Sequence, residues 1–138
     1  MCPLFAPQDF DDEMKRKRER VRRALCGKRH ENDVRRFVHS KDVAIRRLVA
    51  QFGTDAEKAL LVADESSSVR CVLAAHGSEA VQKALLDDTK QRVRIALARH
   101  GGEAVRRRLL KDESRAVRLA AQRKRRWSIA SALTLIFS

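Results

Sequence analysis

Aromatic side chains are almost missing from this chain of 138 residues, which has five Phe, one Trp and no Tyr. There is no row of rings on which bases could stack. Proline (two) and glycine (five) are scarce as well. Turn-rich sheet folds need more of both, so the chain suits helices. The cysteines, Cys2, Cys26 and Cys71, are odd in number and irregular in spacing. That argues against a disulfide framework and fits a reducing, cytoplasmic setting. No apolar stretch approaches the roughly 20 residues needed to cross a bilayer as a helix. The opening MCPLFAPQDFDDE lacks a basic segment followed by a long apolar one, so no secretory signal is expected.

What the chain has in excess is positive charge, +13 in total. The excess is uneven. Residues 41–88 hold 6 basic and 8 acidic side chains, whereas residues 89–138 hold 14 basic and 3 acidic ones. Clustered basic charge favours an anionic partner: nucleic acid, an acidic protein face or an anionic lipid surface.

The chain also repeats itself. Ile45-Arg46, Val69-Arg70, Val93-Arg94 and Val117-Arg118 recur every 24 residues, as do Gly53, Gly77 and Gly101, and Asp64, Asp88 and Asp112. A fixed period of this size marks a stack of small units, none of which can bury its own apolar face. Each unit reads as two short helices of some 8–11 residues, marginal in isolation and stabilised by stacking. Val69, Val72, Leu73 and His76 follow helical spacing on the first helix. Gly77 then stands where a left-handed C-cap would fall. Ala80, Val81, Ala84, Leu85 and Leu86 mark the second helix. Residues 1–8 read as an arm. Residues 9–39 read as a helical cap and degenerate unit, with Val21-Arg22 in phase but Arg29 where glycine would be. Residues 40–123 carry the clear repeats, and residues 124–138 form a basic segment with an apolar tail.

The pattern running through Asp64, Val69, Arg70, Leu73, Ala74, Gly77, Ala80, Val81, Leu85, Leu86 and Asp88, and again from Asp88 to Asp112, resembles the leucine-rich repeat variant. That is a HEAT-like helical repeat of bacterial proteins. The resemblance implies an all-α, right-handed solenoid in which an α-helix pairs with a second, sometimes 3₁₀, helix, closed by N- and C-terminal capping helices. One architecture of the family carries an iron–sulfur cluster on an N-terminal Cys-rich segment. Such a cluster normally needs four thiolates, and Cys2 and Cys26 are the only N-terminal ones, so no cofactor is expected.

The arginines divide into two sets. Arg46, Arg70, Arg94 and Arg118 occur once per unit with Asp42, Asp64, Asp88 and Asp112 nearby, and are expected to form ion pairs between layers. Arg92, Arg99, Arg106, Arg107, Arg108, Arg115, Arg123, Lys124, Arg125 and Arg126 lack equivalents in most units. A residue that the stack does not require has another reason to be present, so these are the candidate anion-binding residues. Lys15, Arg16, Lys17 and Arg18 form a second basic block, diluted by Asp11, Asp12, Glu13 and Glu19.

Other constellations are fragmentary. Cys26, His30 and His39 are an incomplete ligand set, and no metal is expected. His76 and His100 read as packed or helix-capping imidazoles. No phosphate loop, nucleophile elbow or carboxylate–His pair is visible. The enzyme alternative, a HEAT-like base-excising glycosylase, would have only Asp112, Glu113 and Trp127 to work with. The tail WSIASALTLIFS is expected to cap the last unit, with a homodimer contact or an anionic membrane surface as alternatives. The expectation for function is a non-enzymatic binding module whose basic C-terminal half holds DNA or RNA through backbone phosphates. A scaffold for an acidic protein stands second.

Overall fold

Two apolar columns run the length of the stack. Ile45, Val69, Val93 and Val117 form one, and Val49, Leu73, Leu97 and Ala121 the other, and none of the eight is more than 2% exposed. Val21 and Leu25 occupy the same two columns one period earlier, and both are buried. Leu61, Leu85 and Leu109 add a third column from the second helices. Burying a Val or Leu is worth about 1.5–3 kcal/mol. Each layer therefore gains its stability from the surface that its neighbours cover.

The structure, a computed structural model, describes residues 7–27 and 31–123. Within them lie α1 (Pro7–Cys26), α2 (Glu31–Val38), α3 (Val43–Phe52), α4 (Asp55–Leu60), α5 (Ser67–His76), α6 (Glu79–Ala84), α7 (Gln91–His100) and α8 (Glu103–Leu109). A further helical stretch over residues 115–123 is α9. No strand occurs among the described residues. The first helices pack in sequence, α1 on α3, α3 on α5, α5 on α7 and α7 on α9. The arrangement is an all-α stack consistent with a helical repeat. Among the described residues no helix is long and apolar enough to cross a membrane.

Several local expectations change. Helix α1 begins at Pro7, inside the stretch read as an arm, because proline is tolerated at the first helical position. The second helices have six, six and seven residues, fewer than expected. Each ends early so that the chain can turn and present its aspartate to the next layer. Arg29, His30, residues 1–6 and residues 124–138 lie outside the described residues.

The glycines also differ. Gly77 is extended, with φ −75° and ψ 158°, not left-handed. Its requirement is space: a Cβ there would stand 2.6 Å from the Leu73 carbonyl oxygen and 2.7 Å from Val81 Cγ1. Gly101 is equally tight, with 2.6 Å to Leu97 O and 2.9 Å to Val105 Cγ1. The second helix doubles back so closely that only a hydrogen fits. His76 and His100 are exposed, not packed, at the ends of α5 and α7. The His76 carbonyl accepts from Lys58 Nζ at 2.8 Å.

Replacing Gly77 with Ala should lower stability by about 1–3 kcal/mol through this clash, and Leu97→Ala by about 2–5 kcal/mol through the cavity. Urea unfolding midpoints measure both. A neutral Gly77→Ala would refute the close approach.

Candidate binding surface

The repeated arginines are committed to holding layers together. Arg46 Nε donates to Asp64 Oδ2 at 2.7 Å, Arg70 Nε to Asp88 Oδ2 at 2.6 Å, and Arg94 Nε to Asp112 Oδ2 at 2.8 Å. The second guanidinium edge reaches the other carboxylate oxygen each time, at 3.2–3.3 Å. Nη1 turns back to the carbonyl of Ser40, Asp64 or Asp88 in the same layer, at 2.5–2.6 Å. Each aspartate in turn accepts a backbone N–H two residues on, from Ser66, Lys90 and Ser114, at 2.8 Å. These side-chain turns fix the loop that starts the next first helix. Hydrogen bonding to the aspartates holds the Arg46, Arg70 and Arg94 guanidinium groups above their ordinary pKa. Arg118 donates to the Asp112 and Glu113 carbonyls at 2.6 and 2.9 Å. Its forward equivalent would be residue 136, where the sequence has Ile136 in place of aspartate.

Carboxylates elsewhere follow the same geography. From residue 43 to residue 123 every Asp and Glu lies in a second helix or in a loop, and α3, α5, α7 and α9 contain none. Glu79 and Glu103 open α6 and α8, where the helix dipole favours them. The outer faces of α3, α5, α7 and α9 are therefore neutral or basic throughout.

Four of the ten candidate residues lie on that face. Arg92 and Arg99 are exposed on α7, and Arg115 and Arg123 on α9. Among the described residues none of the four has an ion-pair partner. Arg92 and Arg99 are seven residues apart, two helical turns, so they share a face. Arg99 and Arg123 are equivalent positions in adjacent layers. Three other candidates sit on the second helix α8, away from this set. Arg106 is a correction: it is buried, at 9% exposure, and ion-paired to Glu103. It has equivalents in the buried Lys58 and Gln82. Gln82 donates to the Ala74 carbonyl at 3.1 Å and accepts from Gly102 N at 3.3 Å, so the column is a second polar link within the stack. Arg107 is exposed but shares Glu103, at 3.1 Å. Arg108 lines a hollow with Asp87, Asp112 and Glu113, whose carboxylates repel an anion. Lys124, Arg125 and Arg126 lie outside the described residues.

The N-terminal block on α1 is more neutralised. Lys15 pairs with Asp12 at 3.5 Å and Arg18 approaches Asp42 at 3.9 Å, while Arg16 and Lys17 are exposed. Arg22 and Arg23 both bind Glu19, at 2.9 and 3.1 Å. The hydrogen bonds from Arg22 and then Arg23 pull the Glu19 carboxyl down to about 2.

Two features of the face were not read from the sequence. Arg47 is exposed one position after the structural Arg46, and adjacency disguised it. Ile95 is half-buried and Leu119 is 46% exposed, both off the apolar face that the helical spacing defines. Their signal is phase: both stand two residues after the buried Val93 and Val117. Asp112 and Glu113, the carboxylates considered for a glycosylase, are both held by Arg94, and Trp127 lies outside the described residues. Among the described residues no group of three His, Cys, Asp or Glu side chains comes together as a metal site. Comparison with protein-family models, with curated proteins and with solved structures finds no match.

Arg94→Ala should cost about 3–5 kcal/mol by stranding Asp112, which is only 7% exposed. Arg99→Ser should stay within about 0.5 kcal/mol of wild type, both read from urea melts. The Glu19 carboxyl should titrate by NMR near 2, against an ordinary 4.5. Its folded-state pKa is depressed, so its contribution to stability is present above pH 4.5 and is lost as pH falls towards 2.

Proposed function

We propose that this chain is a non-enzymatic binding module that holds an acidic partner against the outer face of α7 and α9. The supporting observation is the segregation of charge. Arg92, Arg99, Arg115 and Arg123 are exposed and, among the described residues, unpaired, on helices that contain no carboxylate. The finer architecture belongs to the same reading: a right-handed solenoid of the leucine-rich repeat variant kind. The first helices pack more closely on one another than the second helices do. The structural arginines are spent inside the stack, and the non-repeating ones are left for the partner.

Two acidic partners suit this face. A nucleic-acid backbone needs only the guanidinium groups, and it is the partner the charge alone supports. An acidic protein is favoured by a separate observation, the exposed Leu119 and half-buried Ile95 set among the arginines.

On a random-sequence DNA duplex, log affinity should fall linearly with log salt. Four phosphate contacts give a slope of about −3.6. Replacing Arg92, Arg99, Arg115 and Arg123 together by Ser should abolish that slope, and replacing Arg107 and Arg108 should leave most of it. If neither duplex DNA nor an acidic polypeptide binds at low salt, or if the two sets of replacements act alike, the reading fails.

A further inference from the structure

We infer that the outer face of α5, α7 and α9 is a docking groove for an acidic amphipathic helix of a partner protein, laid across the three first helices. The inference rests on the binding-module reading above and narrows its partner. Cys71, Ile95 and Leu119 are equivalent positions in three successive layers, and they form a stripe running across the helices. The same column reads Arg23 and Arg47 in the two preceding layers, so its apolar character begins at α5. Leu119 is 46% exposed, one of only three large apolar side chains so exposed among the described residues.

Arginines border the stripe on both sides where it crosses α7 and α9. Along α7 the order is Arg92, Ile95, Arg99, and along α9 it is Arg115, Leu119, Arg123. These spacings of three to four residues keep each trio on one face of its helix. Arg92 and Arg115 form the border nearer the helix starts, and Arg99 and Arg123 the border nearer their ends. No carboxylate lies on any of the three helices.

This arrangement asks for more than a phosphate backbone provides. A row of phosphates would satisfy the guanidinium groups and leave Ile95 and Leu119 facing water or sugar. A helix with an apolar ridge and acidic flanks covers both. The dimensions agree. Packed helices stand about 8–10 Å apart. Seven residues of a partner helix advance about 10.5 Å. A partner with Leu or Ile every seventh residue would place one apolar side chain over each layer. Asp or Glu on either side would meet the two arginine borders. Helix-in-groove recognition commonly uses such regularly spaced anchors.

The test uses the full chain and three fluorescent probes at near-physiological salt. One is a synthetic helix of about 18 residues, with Leu at every seventh position and Glu flanking it. The second has the same charges with each Leu replaced by Gln. The third is a random-sequence DNA duplex. The Leu peptide should bind at least about tenfold more tightly than the Gln peptide, by the area such anchors bury. Leu119→Ser and Ile95→Ser should each erase much of that preference. Both positions are at least partly exposed, and circular dichroism melts verify that the variants stay folded. Arg92, Arg99, Arg115 and Arg123 changed together to Ser should weaken both peptides. Equal binding of the two peptides, or duplex binding that is tighter and indifferent to Leu119→Ser, overturns the docking groove and leaves the basic binding module standing. Failure of every anionic probe overturns both.

Discussion

From α3 to α9 each layer of this protein is tied to the next by an arginine that reaches eighteen residues forward to an aspartate while holding a carbonyl six residues behind. The same aspartate organises the loop from which the following first helix starts. One guanidinium group therefore specifies both the distance between layers and the register of their helices. Apolar columns alone would not do this, because Val and Leu tolerate sliding. The bridge is nearly dry, with Arg94 at 9% and Asp112 at 7% side-chain exposure. Such a pair gives modest net stability, but either half left alone is costly, so neighbours of the wrong register are strongly disfavoured.

That constraint shapes the distribution of charge. Every unit must spend an aspartate in its loop and an arginine in its interior. The remaining carboxylates open second helices, where the dipole favours them, or stand beside the bridging aspartates in the loops. Nothing in the stacking scheme demands a charge on the outer face of a first helix. The chain uses that freedom differently along its length. Ala44, Ser68 and Ala116 share a column with Arg92, and Gln51 and Ala75 share one with Arg99 and Arg123. A face that can be varied without disturbing the stack is where a repeat protein carries its specificity.

Much of the stack was legible in the sequence because the residues that make it are identical from layer to layer. The period, the helical content and the pairing of one arginine with one aspartate per layer all follow from that identity. Legibility ends where a role is kept and the residue is not. Lys58, Gln82 and Arg106 form one buried polar column. Their side chains share length and polarity but not identity, so Arg106 read as a free surface cation. Gly77 misled in another way. Glycine after a helix can serve as a left-handed cap or can be required for its lack of a Cβ, and the sequence alone does not separate the two. Leu119 and Ile95 stand two residues after the buried Val117 and Val93, off the core face, and an apolar residue out of phase is easily passed over in so regular a repeat.

The claim that layers are held in register by one arginine–aspartate bridge apiece is tested most directly by a double-mutant cycle on Arg70 and Asp88. The two residues are joined at 2.6 and 3.2 Å, and the measurement is the unfolding free energy of the two single Ala variants and the double variant. Strong coupling is predicted, with the double variant less destabilised than the sum of the singles by about 1.5–3 kcal/mol. Additive effects within about 0.3–0.5 kcal/mol would show that the bridge does not tie the layers together and would contradict the account.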